Sequence, residues 1–145
     1  MKLVVIACLL SLFSFSVVAQ VETEEFRYLS SEVTALNLFT INQLNDSLTS
    51  NQPRRTCHLW GQVENSILRL EIFGTRLNAG IPDELDLKRL ISALQTEATM
   101  SLKGRLDSYC YRNQAMDARF ISASIIKMKS KLDQISAVLF KLSFK

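Results

Sequence analysis

The sequence predicts an all-α fold, an up-down four-helix bundle, and three observations predict it. From Gln114 to Leu142 the apolar residues Ala118, Ile121, Ile125, Met128, Leu132, Ile135, Leu139 and Leu142 return at steps of three and four, with no Pro or Gly between them. That is one helix face kept up for about seven turns. At roughly 25 cal/mol per Å² of apolar surface it requires helical partners of similar length. Three earlier stretches carry the same period, and helix-stopping residues stand between them at Pro53 and at Asn78-Ala79-Gly80-Ile81-Pro82. The expected helices span about 22–50, 54–78, 83–110 and 114–143.

Residues 1–19 read as a cleaved signal peptide ahead of a single helical domain over 20–145. Lys2 supplies a basic n-region, Leu3 to Phe15 an apolar run, and Val17 and Ala19 the small residues before a cut at Gln20. The run is too short, and too near the terminus, for a membrane-spanning helix. Removing nineteen of the 145 residues leaves 126, one domain by length and large enough to bury a core. The expected localisation is secreted and extracellular.

In the first helix Phe26, Leu29, Val33 and Leu36 form the inward row, and Ile41, Leu44 and Leu48 resume it after a phase slip around Asn37 to Thr40. Glu22, Glu24 and Glu25 suit the positive end of the helix dipole, and Ser50 to Pro53 end the helix. The second helix turns Trp60, Val63, Ile67, Leu70 and Leu77 inward, with Gly74 on the same row. Gly74 is either a point of close helix approach or a kink, at a cost of about 1 kcal/mol relative to Ala. Gly80 is placed to stop this helix in the left-handed conformation, and Pro82, Asp83 and Glu84 to start the next. A joint so short makes the two helices antiparallel neighbours.

The third helix turns Leu87, Leu90, Ile91, Leu94, Ala98, Leu102, Leu106 and Tyr109 inward. No Gly or Pro separates it from the fourth. A single helix from Asp83 to Leu142 would be close to 90 Å long, which a chain of this size cannot cover. A turn is therefore expected near 110–114, with Asn113 capping the start of the fourth helix. Loss of the signal peptide removes Cys8 and leaves Cys57 and Cys110, which in an oxidising compartment form one disulfide. Counted from a turn at Gly80, they fall about 10 Å out of register at 1.5 Å per residue. The expected remedy is fraying near Cys110.

Beyond the signal peptide the chain carries 16 basic and 14 acidic residues, a net charge of +2. This gives no ground for a nucleic-acid or membrane ligand. Residues 20–50 nonetheless carry a net −4 and residues 114–145 a net +4. Either the first and last helices attract each other as neighbours, or the last offers a basic surface to an acidic partner. Arg54-Arg55 and Lys127, Lys129 and Lys131 are the densest cationic groups, with the lysines bordering the buried row.

No catalytic apparatus is expected. The single histidine, His58, would have to serve any Ser–His–acid arrangement, with Asp46 or Glu64 to orient it. The cysteines are better used as a disulfide. Four glycines provide no phosphate-cradling loop, no Cys/His/Asp/Glu spacing suits a metal, and no cofactor is implied. Asn45-Asp46-Ser47 spells an N-glycosylation acceptor, at a position expected to be exposed. On the back of the last helix Ile126, Phe140 and Phe144 project away from the buried row. An outward apolar strip is covered by a second neighbouring helix or left for a partner, and with Lys127, Lys129 and Lys131 it forms the candidate binding surface.

A signal peptide, a helical chain of this size, the Cys57/Cys110 pair, the Pro53 break and the Asn78-to-Pro82 joint together resemble the anopheline mosquito salivary family that includes anophensin and albicin. The resemblance covers the whole mature chain in plan and fixes no binding residue. It implies a non-enzymatic salivary protein that binds a host plasma protein or protease complex. Its target would be the complement alternative pathway or the kallikrein–kinin contact system. The other readings open to a secreted helical bundle are a signalling ligand of cytokine type, against which the short joints argue, and a carrier of apolar ligands. A carrier needs a cavity, whereas the Leu, Ile and Met of these rows are suited to filling one.

Overall fold

The computed structural model describes residues 24–77 and 82–143, with the backbone alone for 82–85. The proposed signal peptide, Glu22, the Asn78-to-Ile81 joint and Phe144 lie outside the described residues. Four helices make up the described chain. Helix α1 covers 24–49, as α-helix over 24–35, a π-helical stretch Leu36–Thr40 and α-helix Ile41–Thr49. Helix α2 is Pro53–Arg76. Helix α3 covers 82–112, as Pro82–Glu97, a π-helical stretch Ala98–Lys103 and Gly104–Arg112. Helix α4 is Ala118–Leu142.

The phase slip in the sequence is the π-helical stretch of α1. Leu36 and Ile41 stand five residues apart, and both are fully buried. The i to i+5 bonding of a π turn brings such a pair onto one face. In α3, Leu94, Ala98, Leu102 and Leu106 follow at three successive steps of four. On an α-helix these would walk about 120° around the axis, yet all four are buried, with Ala98 and Leu102 inside the second π-helical stretch. Each inward row closes on the others in one core that includes Trp60, Leu70, Leu94, Met128 and Ile135. Ala118 and Leu142, at the ends of the α4 row, and Phe26, Leu90 and Leu77 on the others, are only half-buried.

Helix α1 packs on α2 and α4, and α3 likewise packs on α2 and α4. Partner residues run in opposite senses across these seams. Leu77 meets Lys88, Glu71 meets Gln95, Glu64 meets Lys103, Trp60 meets Asp107 and Cys57 meets Cys110. Between α1 and α2, Glu32 meets Arg69 and Ser47 meets Thr56. Between α1 and α4, Asn37 meets Asp133 and Asn42 meets Lys129.

The disulfide joins Cys57 and Cys110 with their Cα atoms 5.5 Å apart, and nothing frays to allow it. Cys110 lies inside α3, which stays helical to Arg112. The expected misregister came from placing the fold-over at Gly80. The partner pairs centre on residue 83, so the first turn of α3 runs past the end of α2 and the cysteines come level. From Glu71 back to Glu64 is seven residues, while from Gln95 on to Lys103 is eight. The π-helical stretch lies in that interval and takes up the extra residue.

The turn between α3 and α4 also differs from expectation. Asn113 ends α3 rather than starting α4: it takes the left-handed conformation at φ 54°, and the Gln114 N–H bonds back to the Ser108 carbonyl at 3.3 Å. The N-cap of α4 is Asp117, whose carboxylate accepts from the Arg119 and Phe120 amides at 3.0 and 3.3 Å. The fourth helix thus begins four residues later than expected. Asn51, also left-handed at φ 50°, turns the chain from α1 into α2 at the same end of the bundle, and Pro53 takes the first helical position.

Candidate interaction surface

The α4 row that faces inward and the row that faces outward come from one helix and end in opposite environments. Ile121, Met128, Leu132 and Ile135 are fully buried, whereas Ile126 is 68% and Phe140 66% exposed. None of the described helices covers Ile126. The two outward residues share an angular strip but stand about 21 Å apart along the axis, so they do not form one contact point. Phe144 lies outside the described residues.

The lysines of the expected surface divide. Lys127 is exposed. Lys129 is half-buried, and its ammonium donates to Asn42 Oδ1 at 2.9 Å, so it is a tie to α1. Lys131 is half-buried at the border of the row. The expected attraction of acidic α1 for basic α4 takes a different form: among the described residues no ion pair joins them. Glu32 is taken by Arg69 of α2, and α4 reaches α1 through Asn42 and through Asn37, which donates to Asp133 at 2.7 Å.

Of the aromatic residues that flank the α1–α4 seam, sequence reasoning missed Phe39. Phe39, 61% exposed on the π-helical stretch of α1, lines a cleft with Phe26, Ser30, Thr34 and Ala35. A second cleft of about 190 Å³ joins Phe26, Ser30 and Thr34 to Ser136, Leu139 and Phe140 of α4. The signal was present in the phase slip, because a π turn that keeps Leu36 and Ile41 inside pushes Leu38 and Phe39 out.

The α2–α3 seam carries most of the remaining polar chemistry. Trp60 is buried and donates its indole N–H to Asp107 at 3.0 Å. The Lys103 ammonium bonds Glu64 and lies 3.2 Å from the other Asp107 oxygen. Those two carboxylates, Glu64 foremost, hold the Lys103 pKa above its ordinary value. A cleft of about 430 Å³ beside them is lined by Asn65, Leu68 and Thr99. Glu64 is therefore engaged away from His58, whose imidazole pairs with Gln62 at 3.1 Å. Neither Glu64 nor Asp46 orients the imidazole. No group of three or more His, Cys, Asp or Glu side chains is placed to hold a metal ion among the described residues, and none of their helices is long and apolar enough to cross a membrane.

The acceptor sequence at Asn45 is not displayed as expected. Asn45 is half-buried inside α1 with its Oδ1 buried and unbonded. Ser47 is buried, its hydroxyl shared between the Leu44 carbonyl and Thr56. No family model, curated protein or solved structure matches this chain.

Proposed function

We propose that this is a secreted, non-enzymatic binding protein: an up-down four-helix bundle, released from its signal peptide, that blocks a host plasma protease cascade. The candidate targets are the complement alternative pathway and the kallikrein–kinin contact system, as the resemblance to the anopheline salivary family implies. The observation that carries the binding reading is the outward row of α4. A large aliphatic side chain is left 68% exposed at Ile126, on a helix whose inner row is closed, and the neighbouring Lys127 is exposed beside it. The opposite sense of the partner pairs supports the up-down topology. The disulfide supports an oxidising compartment. The clefts described above open beside a continuous apolar core, which favours a binder over a carrier.

The purified mature protein is to be assayed in plasma for alternative-pathway haemolysis and for contact activation. Inhibition in one of the two is the expected result, and inactivity in both sinks the inhibitor reading. The variant Ile126→Ser/Phe140→Ser/Phe144→Ser should lose inhibition while keeping its melting temperature. A large drop in melting temperature would show these side chains to be core.

A further inference from the structure

Five arginines are gathered at the disulfide end of the molecule, from three different helices. Arg54 and Arg55 open α2, Arg105 and Arg112 lie in the last segment of α3, and Arg119 is in the first turn of α4. Three links hold these segments together: the Cys57–Cys110 bridge ties the start of α2 to the end of α3, the short 113–117 turn joins the end of α3 to the start of α4, and the Arg105 guanidinium stacks 3.8 Å over the Phe120 ring. All five are exposed.

Their charge is not spent within the fold. Arg54, Arg112 and Arg119 have no ion pair among the described residues, and Arg55 reaches only the neutral Gln52, at 3.4 Å. The acids nearby are largely occupied. Asp117 caps α4, and Glu64 and Asp107 are held by Lys103 and Trp60, leaving Asp46 as the one acid at this end with no side-chain bond among the described residues. An unpaired cluster of like charge opposes itself, and it is tolerated where an external anion completes it.

We propose that this end binds a linear sulfated polysaccharide of the heparan sulfate class. None of the five arginines lines any of the three clefts. Such a surface recognises by charge rather than through the buried aromatic or aliphatic anchor on which a protein partner depends. It offers a spread of planar guanidinium forks, each able to pair bidentately with a sulfate or carboxylate group. The choice of polysaccharide over nucleic acid rests on the extracellular part of the reading above. It does not depend on inhibition of any protease.

The test measures binding of full-length mature protein to a size-defined heparin oligosaccharide at 0.15 M NaCl. Two variants of equal net charge are compared. In one, Arg54, Arg55, Arg112 and Arg119 are changed to Ser. In the other, Arg27, Arg76, Arg89 and Lys141, towards the opposite end, are changed to Ser. All are exposed, and circular dichroism confirms that both variants fold. The expected result is at least a tenfold loss for the first variant, less than a threefold loss for the second, and weakening as salt is raised. Equal losses would reduce the effect to net charge and overturn the proposal, as would absence of binding by the unmodified protein. Equal or tighter binding of double-stranded DNA would overturn the assignment to sulfated glycans. Plasma assays run without heparin keep the outcomes separate, because the first variant should retain any inhibition it shows there.

Discussion

Between α2 and α3 a tie recurs along the whole seam, from the Lys88 ammonium on the Leu77 carbonyl, through Gln95 and Glu71, to the Trp60–Asp107–Lys103–Glu64 group and the disulfide. Between α1 and α4 run the hydrogen bonds of Asn37 and Asn42, and beside them lie the clefts walled by Phe26, Phe39 and Phe140. Both seams have an apolar interior of Leu, Ile and Val. The difference lies in the polar groups, which act over short distances and in fixed directions and so hold one register. The first seam is locked against sliding. The second carries a buried Asn37 whose Oδ1 has no partner among the described residues, and it is flanked by the exposed Phe39.

Breaking the locked seam should have the largest effect. Cys57→Ser/Cys110→Ser opens a bridge between residues 53 apart, and the chain-entropy model gives a loss of about 4 kcal/mol, read from urea unfolding. A loss below about 1 kcal/mol would mean that the polar ladder holds the seam without its staple.

Next in size is Asp107→Ala, which leaves the buried Trp60 N–H without an acceptor and removes one partner of Lys103. A cost of about 2 kcal/mol follows from an orphaned buried donor. The matching change on the other seam, Asn37→Ala, removes one hydrogen bond but also an oxygen that is already unsatisfied. It should cost under about 1 kcal/mol, and if it proves the more damaging of the two, the contrast between the seams is wrong.

Glycine substitutions probe packing without polar groups. A Cβ at Gly104 meets nothing within 4 Å, so Gly104→Ala should stabilise by about 1 kcal/mol through helix propensity. At Gly74 the same Cβ would come within 2.8 Å of Ile91 Cδ1. Gly74→Ala should therefore gain less, because α2 and α3 approach closely there and the Ile91 side chain must move aside. Thermal melts of the two variants compare them directly.

The smallest effect is pH-dependent. Because Glu64 and Asp107 raise the Lys103 pKa, the folded state binds that proton more tightly than the unfolded one. The resulting stability is complete below the ordinary lysine value of 10.5 and is lost as pH rises through the raised value. Above pH 10.5 the unmodified protein should lose stability faster than Lys103→Met. Parallel curves would place the ion group outside the energetics of the seam.

The inward rows were legible because burial imposes a period that local sequence must obey, and every inner residue from Ile121 to Leu139 obeys it. The turn after α3 was harder to read. Asn113 and Asp117 suit either end of a helix by composition, and only the backbone conformation assigns one to the stop and the other to the start. Of the candidate surface, Ile126 and Phe140 could be placed by angle alone. Lys129 could not, because its partner Asn42 lies 87 residues away in the chain.

By itself the sequence determined the helices, their inner faces and the availability of two cysteines, since these depend on residues within a few turns of one another. The tertiary structure alone decided where α3 folds back, and so why Cys57 and Cys110 come level. It also decided which charges are paired and which are left over. Those outcomes are set by the register between helices, which no local pattern encodes.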